Sequence, residues 1–251
     1  MAAATPFLML RPHRFLFSPL RRCLIHTCGR NAGTTRRGES LRHNMGDRMT
    51  WDNIYSSNGS SHFDWFCGYK DLKHFLLSLN HEMVPEKYTG PPLHVLDVGC
   101  GTSDVGVGLF QDSHIPLLIT CIDRSTPAIL AMRNSLMERE PLTPKHSESR
   151  LEYVEGDVTD LHAFPSGSVS LVLDKGTSDA LLRSGKEQAR RLLQEALRVL
   201  QEGGKLIQLT DEDPDARLPF LEQAGVGPSV TFHDLGDKKG MSYYAYIVTR
   251  S

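Results

Sequence analysis

Leu93-His94-Val95-Leu96-Asp97-Val98-Gly99-Cys100-Gly101-Thr102-Ser103 decides the fold. Val95, Leu96 and Val98 favour a short strand buried on both faces. Pro91-Pro92 just before it bars a helix from running in. Gly99 and Gly101 then make a turn without Cβ atoms, where backbone N–H groups can approach a ligand closely. A helix is expected to follow. Asp97 falls at the carboxyl end of the strand, where open parallel sheets bind their ligands.

A Gly-x-Gly turn after a strand serves a phosphate-bearing dinucleotide, serves another ligand, or is a plain structural turn. A dinucleotide fingerprint wants Gly or Ala three residues on, with the pyrophosphate at a helix N-terminus. Here Asp104 takes that place and Asp97 adds a second negative charge, so both repel a pyrophosphate. A ligand with a cationic amino group and no phosphate is attracted instead. S-adenosylmethionine, with an ammonium and a sulfonium, meets that description.

The following strands test the choice. Leu117 to Ile122 is a second buried run, ending in Asp123, and this acid follows Gly101 by 22 residues. That is close to the roughly 20 expected of a carboxylate that accepts ribose hydroxyls. Leu151 to Glu155 is a third, ending in Gly156-Asp157-Val158, where an acid and a backbone N–H can meet an adenine edge. Val169 to Leu173 is a fourth, ending in Asp174. One strand-end Asp is easily a helix cap; four, each after a hydrophobic run, favour a bound nucleoside.

These residues resemble the class I (seven-β-strand) S-adenosylmethionine-dependent methyltransferases over roughly residues 48 to 251. Leu96 to Gly101 looks like the family's first motif, Asp123 like its ribose acid and Asp157-Val158 like its adenine contact. Cys100, Thr102 and Arg124 beside them, with Asp174, complete the cofactor residues that the resemblance implies. Leu173-Asp174-Lys175-Gly176-Thr177 with Asp179-Ala180, and Phe63-Asp64-Trp65-Phe66-Cys67-Gly68-Tyr69, look like signatures of a lysine-methylating subgroup. Thr210 to Pro219 with Leu221-Glu222-Gln223 narrows the likeness further. Cys67 stands where an aromatic is usual, and Ser178 where a bulkier residue is. The resemblance implies transfer to a lysine of a mitochondrial protein, citrate synthase.

At 251 residues, 39% hydrophobic and 23% charged, the chain can bury one good core. It has no apolar run of the roughly 18 residues that a membrane span needs. Residues 1–48 hold nine Arg, no Lys and two acids, a net of +7; with −2 overall, the rest carries −9. An acidic body argues against nucleic acid and suits a basic group such as a lysine. The Arg-rich start, with no acid before Glu39, has the composition of a mitochondrial transit peptide, expected over residues 1–45 and implying the matrix. The other reading is a basic arm that binds nucleic acid or anionic lipid. Met45 and Met49 leave open a shorter product. Five cysteines without a Cys-x-x-Cys pair read as free thiols in a reducing compartment. No metal site is expected, and the histidines have no telling spacing.

Residues 46–90 form the expected helical, aromatic segment, with a helix over Asp71–Leu79. Its aromatic residues either pack that helix onto the core or form a lid in which Trp65 and Tyr69 wall a lysine channel through cation–π contact. The methyltransferase core follows over 91–251. Helices are expected over Thr126–Glu138, Glu187–Leu200 and Ala216–Gln223. A fifth strand spans Lys205–Leu209, and an antiparallel pair spans Ser229–His233 and Tyr243–Thr249. The fold class is therefore α/β: a doubly wound, mostly parallel seven-stranded sheet closed by an antiparallel C-terminal hairpin.

Methyl transfer from a sulfonium is an in-line displacement that asks for alignment, which contributes ~7–11 kcal/mol, and not for a metal. The lysine nitrogen must be neutral, against an ordinary pKa of roughly 10.4. Carboxylates stabilise its ammonium form, so Asp174 and the cluster Asp211-Glu212-Asp213 are expected to capture and orient the lysine without acting as a strong base. A small-molecule methyltransferase and a non-catalytic S-adenosylmethionine-binding assembly protein are the rival functions.

Overall fold

The computed structural model describes residues 44–57, 64–85, 87–138, 141–226, 230–238 and 240–251. The expected transit peptide lies outside them but for its last two positions, as do Phe63 and Ser229. Seven strands form one sheet: β1 (Leu93–Val98), β2 (Leu117–Asp123), β3 (Arg150–Glu155), β4 (Val169–Lys175), β5 (Leu200–Thr210), β6 (Val230–Lys238) and β7 (Met241–Thr249). Their order is β3-β2-β1-β4-β5-β7-β6. β1 to β5 run parallel, and β7 is antiparallel to β5 and to β6. β1 and β4 lie side by side, and the chain leaves them towards opposite edges. Such a switch point opens a crevice at the carboxyl ends of the strands.

Helices cover both faces. α1 (Arg48–Ser57) and α2 (Tyr69–Glu82) precede the sheet, while α3 (Val105–Asp112), α4 (Thr126–Glu138), α5 (Thr177–Ser184), α6 (Lys186–Val199) and α7 (Pro214–Gln223) join its strands. Alternation along the strands feeds two cores. Val95, Ile119, Leu171 and Ile207 face Leu72, Leu76 and Leu109, whereas Leu96, Val172 and Leu206 face Leu192, Leu193 and Leu221. Runs buried on both faces are what a covered parallel sheet requires.

Several bounds differ from the sequence reading. β4 continues through Asp174 and Lys175, because both still pair with Gln208 and Leu209 of β5. β5 begins at Leu200, ahead of the expected Lys205, and Gly203 and Gly204 lie inside the strand, bonded to Arg250. Two helices escaped the reading. α1 has no fully buried residue and a single apolar turn, Trp51, Ile54 and Tyr55, and α5 is only 8 residues long. Met45, assigned to the transit peptide, is 2% exposed and its carbonyl accepts the Trp51 Nε1–H at 2.6 Å.

Candidate active site

The turn after β1 is pinned from two sides. Gly99 N–H donates to Ile122 O at 2.7 Å, and Gly101 N–H donates to Asp123 Oδ2 at 2.8 Å. Thr177 Oγ1 donates to Val98 O at 2.8 Å from the start of α5. Both glycines have left-handed backbone, φ +69° and +53°. A Cβ on Gly99 would stand 2.1 Å from Thr177 Oγ1, and one on Gly101 2.2 Å from the Tyr55 hydroxyl. Sterics as well as conformation therefore fix glycine here.

This turn forms one wall of a cleft that encloses about 770 Å³, open mouth included. Asp97, Gly99, Cys100, Asp123, Arg124, Asp157 and Val158, all expected to hold the cofactor, line it together. Gly101 serves through its N–H to Asp123, and Thr102 is buried behind the turn. Asp123 is 8% exposed and also accepts the Ser125 N–H at 2.8 Å. Asp157 Oδ1 accepts the N–H and hydroxyl of Thr159, both at 2.8 Å.

Asp97 differs from its neighbours. It is 3% exposed, and among the described residues its carboxylate meets only the Cys121 thiol, 4.0 Å away. Burial pushes its pKa up to about 7; Lys175 draws it down, and the nearby carboxylates of Asp64, Asp123 and Asp174 push it further up. A buried carboxylate so poorly partnered is a site for a cation. The cleft's own cations are engaged elsewhere. Arg124 donates to the Gly46 carbonyl, and Lys175 pairs with Asp64. The electrostatics thus suit a cationic nucleoside and disfavour a phosphate.

Residues upstream of the sheet close the other wall. Met45, Trp51, Tyr55 and Trp65 line the cleft, with the Trp51 ring 5.9 Å from Tyr55 and 6.0 Å from Trp65. Arg48 ties α1 to the start of α4 and the end of β3 through Thr126 Oγ1 and Glu155 Oε1, both at 2.8 Å, and Ser125 Oγ donates to Asp52 at 2.6 Å. The even spacing of Trp51 and Tyr55, one helical turn apart, was the available signal for this wall.

The residues expected to meet the lysine are not all brought together. Trp65 lines the cleft. Tyr69 does not: it is 7% exposed in the core under α3, where a Cβ on Gly108 would meet its ring at 2.0 Å. Asp174 is fully buried and off the cleft wall. Its Oδ1 accepts the N–H groups of Thr177 and Ser178 at 3.0 Å, and its Oδ2 accepts Gln208 Nε2 at 2.9 Å. Asp174 therefore caps α5, since the first N–H groups of a helix need acceptors. Ser178 lies in the same network, its Oγ accepting Gln208 Nε2 at 3.1 Å, which accounts for a small residue there. Asp211 is half-buried beyond the end of β5, and Asp213, exposed, accepts the Tyr244 hydroxyl at 3.0 Å. Neither reaches the cleft wall. Lys175, Gly176 and Thr177 do.

A family model for a methyltransferase domain matches residues 96–208. The human citrate synthase-lysine N-methyltransferase CSKMT, mitochondrial, is 43% identical over 215 residues, covering 82% of this chain and 88% of that protein. The Danio rerio protein of the same name is 36% identical over 248 residues, covering 94% and 96%. Among solved structures, a SAM-dependent methyltransferase from Methanosarcina mazei superposes with TM-score 0.53 at 15% identity, over 68% of this chain and 96% of that one, a likeness of fold alone.

Proposed function

The chain belongs to the class I S-adenosylmethionine-dependent methyltransferases, in the group of the citrate synthase-lysine N-methyltransferases, and on that premise we propose that it methylates a lysine of citrate synthase in the mitochondrial matrix. It is an S-adenosylmethionine-dependent protein-lysine methyltransferase of the mitochondrion, and its substrate is a protein. The observation that carries the site assignment is the meeting of Asp97, Asp123 and Asp157 in one cleft, where Lys175 is paired with Asp64 and Arg124 is engaged by the Gly46 carbonyl.

In this reading Asp97 takes the methionine ammonium, Asp123 the ribose hydroxyls, and Asp157 with the Val158 N–H the adenine edge. Bound there, the cofactor supplies an electrophilic methyl group on a sulfonium. The chain's own task is alignment and desolvation. Trp51 and Trp65 offer aromatic faces to the incoming side chain and exclude water, and desolvation lowers the lysine pKa towards the neutral, nucleophilic form. Asp174 acts one step back by fixing α5, which carries Thr177 into the cleft. Asp211 and Asp213, outside the cleft, are placed to attract a basic surface on the way in.

Incubating purified citrate synthase with the chain and S-adenosylmethionine, followed by peptide mass spectrometry, tests this. The expected result is one lysine-containing peptide that gains methyl groups. Methyl transfer into a small-molecule fraction of a mitochondrial extract, with citrate synthase unmodified, would support the rival enzyme instead.

A further inference from the structure

Two stretches far apart in sequence hold one another beside the cleft. The Lys175 ammonium lies 2.6 Å from Asp64 Oδ1 and donates to the Trp65 carbonyl at 2.8 Å. The pair is sheltered, with the Lys175 side chain 7% exposed and that of Asp64 26%. Next along the chain, Gly176 has φ +78°, and a Cβ there would stand 2.4 Å from Trp65 Cδ1. The Trp65 ring packs edge-on against Trp51 and, at 5.6 Å, against Phe66, whose ring in turn meets Tyr243 at 5.6 Å. At the far end of the stretch, Tyr69 N–H donates to Asp104 Oδ1 at 2.7 Å.

Phe66 adds a second observation. Its φ of +69° is the one left-handed value at a non-glycine position among the described residues. A bulky side chain is held in that conformation only where its surroundings over-determine it, and such strain gathers at clamps and switch regions. The two partners also sit in different kinds of backbone. Lys175 ends a central strand, whereas Asp64 to Gly68 has neither helix nor strand. Burial pushes the Asp64 carboxyl up, and the Lys175 ammonium beside it pulls it back.

We propose that the Asp64–Lys175 ion pair is a latch: two positioning residues that hold the strap 64–69, with Trp65, against the cofactor cleft and thereby set how fast the cofactor enters and leaves. The idea rests on the cleft being the S-adenosylmethionine site and is independent of which protein is methylated.

Both tryptophans of the chain, Trp51 and Trp65, line this cleft, so intrinsic fluorescence reports on the strap itself. Cofactor dissociation is measured by stopped flow in the full chain. Asp64→Asn and Lys175→Met should each speed release about tenfold, equivalent to ~1.4 kcal/mol. The double variant should release no faster than either single one, because both remove the same interaction. In steady state the KM for S-adenosylmethionine should rise by the same factor in both single variants and no further in the double one, a coincidence that mere loss of stability does not produce. Lys175→Arg, which keeps the pair, should restore the parent rate. Additive effects in the double variant, or unchanged release in the folded single variants, would overturn the latch. If a neutral variant does not fold, Asp64→Glu decides: a faster release supports the latch, and the parent rate refutes it. A parent chain that fails to bind S-adenosylmethionine sinks the cofactor reading and the latch together. One that binds it without methylating citrate synthase leaves this test standing.

Discussion

Arg217, whose side chain is wholly buried, is ion-paired with Asp179 across the join between α7 and α5. Thr210 Oγ1 donates to Asp179 Oδ1 at 2.8 Å, and the guanidinium donates to Thr210 Oγ1 at 3.1 Å and Ser178 Oγ at 3.3 Å. Glu212 Oε2 lies 2.8 Å from Arg217 Nε. One member of the acidic stretch after β5 thus turns inward to a structural cation. The stretch that carries much of the sequence likeness is partly a brace for α5, and through it for the floor of the cleft.

Removing the brace's cation leaves Asp179 and Glu212 without their partner. Arg217→Met should lower the unfolding free energy by about 3–5 kcal/mol in urea titration, the cost of breaking one side of a buried pair. Arg217→Lys should recover little, because an ammonium cannot reproduce the planar fork.

With Asp97 proposed to take the methionine ammonium, cofactor binding should depend on pH. The acid's folded pKa of about 7 lies above the ordinary carboxyl value, so the stability it contributes is fully present below that ordinary value and is lost as pH rises through about 7. A cationic ligand works the other way, because it binds the ionised form. S-adenosylmethionine affinity should therefore rise with pH through about 7 in calorimetric titrations, and this rise should vanish in Asp97→Asn. At higher pH that variant should bind more weakly by about 1.5–3 kcal/mol, the worth of a charge-assisted hydrogen bond.

Gly99→Ala and Gly101→Ala test the turn. Each places a Cβ within 2.1–2.2 Å of Thr177 or Tyr55, on backbone that disfavours any side chain. Both variants should remain folded by circular dichroism and lose cofactor binding. Gly101→Ala should also change tryptophan fluorescence, since Tyr55 stacks on Trp51.

Asp174→Ala should cost stability along with transfer. It strips the acceptor from two N–H groups of α5 and from Gln208, and each buried group left unpaired costs about 1–3 kcal/mol. Thermal denaturation should show a clear fall for Asp174→Ala and a smaller one for Asp174→Asn, which keeps an acceptor oxygen.

Much of the sheet was legible because buried parallel strands announce themselves as apolar runs, and each ends in an acid on the ligand side. The acids that we propose hold the cofactor could be picked out for the same reason: Asp97, Asp123 and Asp157 stand at or just past strand ends at readable spacing. What the sequence hid lies where contacts are long-range. Nothing local in Asp174 separates a carboxylate that caps a helix from one that meets a substrate; the difference is the three donors that converge on it. Tyr69 has the composition of a channel wall but faces Gly108 across a helix contact. Lys175 pairs with Asp64, which stands 111 residues away, a contact that no local pattern announces. α1 is tied down in part by polar hooks such as Arg48, which leave no periodic signal, so the single turn between Trp51 and Tyr55 was its only mark.

A crystal structure of the protein with S-adenosylhomocysteine tests the account most directly. It predicts the ligand's ammonium against Asp97, the ribose hydroxyls on Asp123 and the adenine beside Asp157 and Val158. A ligand seated away from these three acids, or a phosphate-bearing nucleotide on the Gly99–Gly101 turn, would contradict it.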